Sequence, residues 1–149
     1  MTLPALPHVR FHLPAPMPVG PGLARGWRIT AFEAAGAVAR LGRRSRGTDR
    51  LLMAAGVREG AFVGAWNPLS RQRPKAWNKA MLDRLRGLVR RAGIPFHEGS
   101  GSAARPAWAE EHLLLCADLR RCAAFARRFR QHAVLVVRLR AAARLRVLR

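Results

Sequence analysis

The chain has 149 residues, half of them hydrophobic, and folding at that length removes roughly 70% of the extended chain's surface from water, enough for one core. That composition excludes a wholly disordered chain, and no apolar run approaches the ~18 residues needed to cross a bilayer. The net charge of +20 favours polyanions over acid-seeking partners.

The charge has two components. Of the 28 basic residues, only Lys75 and Lys79 are lysine, and arginine in place of lysine beside abundant alanine is what GC-rich coding produces. The shortage of acids is more telling. After Asp118 there is no carboxylate side chain, while Arg120, Arg121, Arg127, Arg128, Arg130, Arg138, Arg140, Arg144, Arg146 and Arg149 follow.

In chain order, residues 1–22 hold six of the ten prolines and no hydrophobic period, so an extended, poorly ordered leader is expected, followed by one α+β domain over 23–149. Pro4, Pro7, Pro14, Pro16 and Pro18 interrupt the apolar stretch a secretory signal needs, and a cytoplasmic location with no membrane association is expected. Residues 26–32 and 37–41 are predicted as strands turning at Gly36. Thr48 is the expected N-cap of a short helix whose apolar face is Leu51, Leu52 and Ala55, closed by Gly56.

Residues 61–66 read as a buried strand that ends at Asn67-Pro68, because proline biases its predecessor away from the helical region. Pro74 suits the first turn of a long helix. In that helix Trp77, Met81, Leu82, Leu85, Leu88, Val89 and Ala92 repeat at intervals of three and four up to Gly93, with arginines on the other faces. A brief strand is predicted over 94–98, a loop over 99–106 from its glycine and serine content, and a buried strand over 112–117. Asp118 caps a second helix bearing Leu119, Cys122, Ala123, Ala126 and Phe129. Residues 132–139 return to strand, and a terminal strand is expected with Leu145 and Val147 inward. From residue 61 the order is strand, helix, strand, strand, helix, strand, the ferredoxin-like split βαβ arrangement with two helices over one face of an antiparallel sheet. The N-terminal strand-strand-helix and a C-terminal strand extend it.

The segment Ala65-Trp66-Asn67-Pro68-Leu69-Ser70-Arg71, with Trp77-Asn78, residues 108–112 and Phe129-Arg130-Gln131, resembles an uncharacterised bacterial family catalogued as a domain of unknown function, family 3293. The likeness runs over roughly residues 27–140, and Ala-Trp-Asn-Pro is its most specific stretch. It implies a compact domain and marks Trp66, Asn67, Pro68, Ser70, Asn78, Glu111 and Gln131 as motif positions, without assigning them an activity or cofactor.

Two functions are weighed. Arg71, Arg73, Lys75 and Lys79 around Trp77, with Arg120, Arg121, Arg127 and Arg128, could bind nucleic acid or another polyanion without catalysis. The alternative is a small-molecule site or enzyme built on Asn67, Ser70, Asn78 and Glu111, with Gln131 as a further motif residue. Against it, asparagine and serine are ordinary turn formers that bond nearby backbone. His8 and His12 stand at a helical spacing that the nearby prolines make hard to realise, His97, His112 and His132 are each isolated in sequence, and Cys116 and Cys122 read as reduced core residues. His97, Glu98 and Glu111 could form an acid and base pair near a sheet edge. No phosphate-cradling glycine loop is present, and neither cofactor nor metal is expected.

Overall fold

The computed structural model describes residues 27–104 and 107–148. The proline-rich leader expected over 1–22 lies outside the described residues. Within them the chain forms β1 (Ala31–Ala34), β2 (Ala37–Ala39), α1 (Arg46–Ala54), β3 (Glu59–Gly64), a 3-10 turn (Pro68–Ser70), α2 (Lys75–Arg91), β4 (Phe96–Ala104), β5 (Ala107–Leu115), α3 (Leu119–Arg128), β6 (Ala133–Arg138) and β7 (Arg144–Val147).

The strands make one seven-stranded sheet in the order β2-β1-β4-β5-β3-β6-β7, and every pair is antiparallel. The sheet curls until its ends meet. Leu41 bridges Ala143 and Arg44 bridges Ala142, with the Gly42 amide donating to the Ala143 carbonyl at 2.7 Å. Edge groups are thereby partly paired rather than left open to another chain.

Alternation along the central strands divides the core in two. Ala61 and Val63, Leu113 and Leu115, and Val134 and Val136 face one side, where Met81, Leu82, Leu85 and Val89 of α2 and Cys122, Ala123 and Ala126 of α3 cover them. Phe62, Leu114, Cys116, Leu135 and Val137 face the other side with Leu52 of α1. Burying a leucine as completely as Leu85 or Leu113 contributes roughly 2–3 kcal/mol each. The two cysteines are free and buried; burial raises both thiols, Cys122 to about 12.

The long helix follows its apolar spacing. Ala92 ends it and Gly93, at φ +69°, supplies the left-handed residue that turns the chain away. Ala92 itself is exposed. Asp118 caps α3, accepting from the Arg121 amide at 2.9 Å.

Several expectations are corrected. Residues 27–29 form a helical turn, so the first strand begins only at Ala31. The N-cap of α1 is Ser45, whose Oγ accepts from the Thr48 amide at 3.2 Å, while Thr48 sits in the first turn and is buried. The glycine and serine stretch from residue 99 is strand, not loop, because β1 and β5 supply ladder partners on both sides. In β7 Val147 is exposed and Leu148 enters the helix-side core, its amide bonded to the His132 carbonyl. Leu145 keeps the inward side expected of it, half-buried between exposed Arg144 and Arg146, so only Val147 departs from the expectation.

A motif clasp and a glycine-floored cavity

The strand β3 delivers its last residues into a tight loop. Asn67 (φ 44°), Leu69 (φ 52°) and Ser70 (φ 59°) all lie in the left-handed region. Asparagine enters that region readily, whereas leucine and serine there cost roughly 1 kcal/mol or more each.

What holds the loop is a set of hydrogen bonds among motif residues. The Asn67 amide donates to Asn78 Oδ1 at 2.9 Å, and Asn78 Nδ2 donates to Asn67 Oδ1 at 3.0 Å and to the Arg73 carbonyl at 3.3 Å. Asn67 Oδ1 also accepts from the Arg73 amide at 2.9 Å, and Asn67 Nδ2 donates to Glu110 Oε1 at 2.8 Å. Asn78, on the buried face of α2, is 2% exposed. The two asparagines therefore spend their hydrogen-bonding capacity on the loop that contains one of them.

The loop is also clasped to the end of α3. The Leu69 amide donates to the Arg130 carbonyl at 2.7 Å, and Gln131 Nε2 donates to the carbonyls of Trp66 and Phe129, each at 3.1 Å. Arg130 is itself left-handed at φ 55°. Motif segments separated by about sixty residues thus meet as one knot at the end of the sheet where β3 stops and β6 starts.

Of the sequence-derived polar set, Asn67, Asn78 and Gln131 come together in this knot. Ser70 is exposed on the loop, and Glu111 is exposed on β5 opposite Ser100. The carboxylate that reaches Asn67 is Glu110, one residue earlier, which the sequence reading did not single out. Successive strand residues face opposite sides, so only the observed register reveals which of the two glutamates turns toward the loop. Burial raises the Glu110 carboxyl above the ordinary carboxylate range, and the Asn67 amide offsets part of that. The pairing suggested for His97, Glu98 and Glu111 is not assembled. Glu98 is held by Arg86, which also grips Asp83, and these contacts hold the Arg86 guanidinium above its usual range.

The basic candidates divide into two groups. Arg71, Arg73, Lys75 and Lys79 lie in the loop and first turns of α2, and the clasp sets them beside the end of α3 that carries Arg127 and Arg128. Arg120 and Arg121 are at the other end of α3, about 9–12 Å along the helix from Arg127 and Arg128, and Arg121 is tied to Asp118 at 2.7 Å. Arg73 is half-buried and stacks over the Trp77 ring at 5.6 Å, worth about 1 kcal/mol. Arg71, Lys75, Lys79, Arg127 and Arg128 are exposed, and among the described residues no side-chain carboxylate is in ion-pair contact with them.

On the opposite sheet face, near the same end, lies a cavity of about 90 Å³. Its floor is bare because Gly64 and Gly101 carry no side chain there. His112 projects into this region, stacked on Phe32 (5.6 Å, 14°) and edge-on to Phe62 (5.0 Å). The His112 ring bonds the Glu33 backbone through one nitrogen, and Nε2 is buried without a partner. Burial lowers its pKa from 6.5 to about 4, so the imidazole is neutral near pH 7, Nδ1 is the donor, and Nε2 is a bare acceptor.

Among the described residues there is no cluster of three or more metal-binding side chains, and no helix is long and apolar enough to cross a membrane. No curated protein and no solved structure matches the chain. Residues 63–134, which span the clasp, α2, both middle strands and α3, match the family model described as a protein of unknown function (DUF3293), and this match supports assigning that segment to the family.

Proposed function

We propose that this protein binds nucleic acid or a comparable polyanion, without catalysis, through the basic end of its helical layer. The observation that carries the reading is the convergence of Arg71, Lys75 and Lys79 with Arg127 and Arg128, exposed and lacking carboxylate partners, at the end where the loop is clasped to α3. A cationic surface fixed on two helices that pack on one sheet face concentrates phosphate contacts without first having to order itself. The small-molecule alternative built on Asn67, Ser70, Asn78 and Glu111 is less favoured, because Asn67 and Asn78 are occupied by the loop and by each other.

The same end view supports a finer reading of the fold. We read β3-α2-β4-β5-α3-β6 as a ferredoxin-like unit, since its strands stand in the order β4-β5-β3-β6 and both helices pack on one face.

The test is affinity for single-stranded and duplex RNA and DNA as a function of salt. A site neutralising about six phosphates loses roughly a thousandfold in affinity between about 50 and 200 mM salt. Replacing Lys75, Lys79, Arg127 and Arg128 by glutamine together should flatten that slope by about four charges. A slope unchanged by the four replacements, or no binding at low salt, overturns the reading.

A further inference from the structure

The cavity beside His112 differs in chemistry from the rest of the surface. In a chain of net charge +20, the residues lining it include Glu110, on the His112 face of β5, and its neighbour Glu111, and no lysine or arginine. Its walls are the rings of Trp27, Phe32 and Phe62. Three of its polar side chains offer acceptors. His112 offers the unpartnered Nε2, and His112 as a whole is 6% exposed. Gln131 commits Nε2 to two carbonyls, leaving Oε1 beside the bare face of Gly64. Glu110 uses Oε1 for Asn67, leaving its second oxygen available.

We propose that this cavity is a binding site for a small organic cation carrying N–H donors, an alkylammonium or alkylguanidinium group. Aromatic faces attract such a charge, and a neutral imidazole, an amide oxygen and a carboxylate each accept one of its hydrogens. An anion would meet the Glu110 carboxylate and no lysine or arginine, and a neutral apolar ligand would leave the His112 acceptor buried and unsatisfied. The volume of about 90 Å³ limits the ligand to a few non-hydrogen atoms or to the cationic tip of a longer molecule. The raised Glu110 carboxyl fits as well, since a cation seated beside it would favour its charged form. This inference is tested separately from the anion-binding reading, because the cavity lies on the other sheet face and includes none of the five basic residues, although Gln131 and Glu110 serve both the clasp and the cavity.

The experiment titrates the full chain with methylguanidinium and with ethylammonium, following the Trp27 indole and His112 imidazole signals by NMR, with tetramethylammonium as a cation that has no N–H. Ligands of about three to five heavy atoms should bind at about millimolar strength. Tetramethylammonium should bind at least tenfold more weakly, about the worth of one charge-assisted hydrogen bond. Glu110→Gln, whose amide oxygen can still accept from Asn67, should weaken the N–H cations about tenfold. His112→Phe keeps the ring stacking and should do the same. Should His112→Phe fail to fold, Glu110→Gln alone decides the outcome. Absence of any shift at roughly 10 mM probe, equal binding of tetramethylammonium, or indifference to Glu110→Gln overturns the proposal, whatever nucleic-acid binding shows.

Discussion

Replacing Asn78 by alanine removes three hydrogen bonds at a site that is 2% exposed. The Asn67 amide and the Arg73 carbonyl lose their partners, and at about 1 kcal/mol net for each bond the loss comes to roughly 3 kcal/mol. Part of that is recovered if the loop relaxes, because Leu69 and Ser70 then leave the left-handed region that the lock imposes on them. For a chain of this size each kcal/mol lowers Tm by about 3 °C, so a drop of roughly 6–9 °C is expected. Urea unfolding followed by fluorescence supplies the free energy. Asn78→Asp sharpens the comparison, since it keeps the shape and the acceptor but cannot donate to Asn67 Oδ1 or to the Arg73 carbonyl. In a double-mutant cycle Asn67→Ala and Asn78→Ala should couple by about 1–2 kcal/mol. A loss below about 0.5 kcal/mol for Asn78→Ala, or strict additivity with Asn67→Ala, would refute the view that these asparagines hold the strained loop.

Two further outcomes follow from the sheet and from His112. A Cβ at Gly99 would run into the Glu33 carbonyl of the neighbouring strand, whereas one at Gly101 would meet only ordinary contacts near 3.5 Å, on His112 and Thr30. Thermal melts should therefore show Gly99→Ala losing about 2 kcal/mol or more, and Gly101→Ala within about 0.5 kcal/mol of the parent or above it. The His112 pKa is depressed from 6.5 to about 4, so the unfolded chain takes up this proton before the folded one does. The associated stability is complete above about pH 6.5 and is lost progressively as pH falls toward 4, by roughly 3 kcal/mol in all. Glu110, raised in the fold, acts in the opposite direction as pH falls. Comparing stability at pH 7 and pH 4.5 in the parent and in His112→Phe isolates the histidine, and an equal acid loss in both would contradict the assignment.

Much of this protein was legible from its residues. The apolar stripe from Trp77 to Val89, the stop at Gly93 and the cap at Asp118 are local signals, each depending on neighbours within a turn or two, and they reappear where the spacing put them. Local signals failed where the decisive partner is remote. Residues 99–104 look like a loop by composition, yet they form a strand because β1 and β5 flank them, and Gly99 is required there by the approach of Glu33 rather than by any turn. Glu110 rather than Glu111 meets Asn67 because a one-residue change of register exchanges the faces of a strand, and register is set by the whole sheet. The sequence by itself determined the two main helices, the central strands β3, β5 and β6, and how strongly basic the chain would be. The tertiary structure alone decided that the motif segments form a clasp, that two basic runs converge while Arg120 and Arg121 stand apart, and that acceptors gather over a glycine floor, since each depends on contacts between residues distant in the chain.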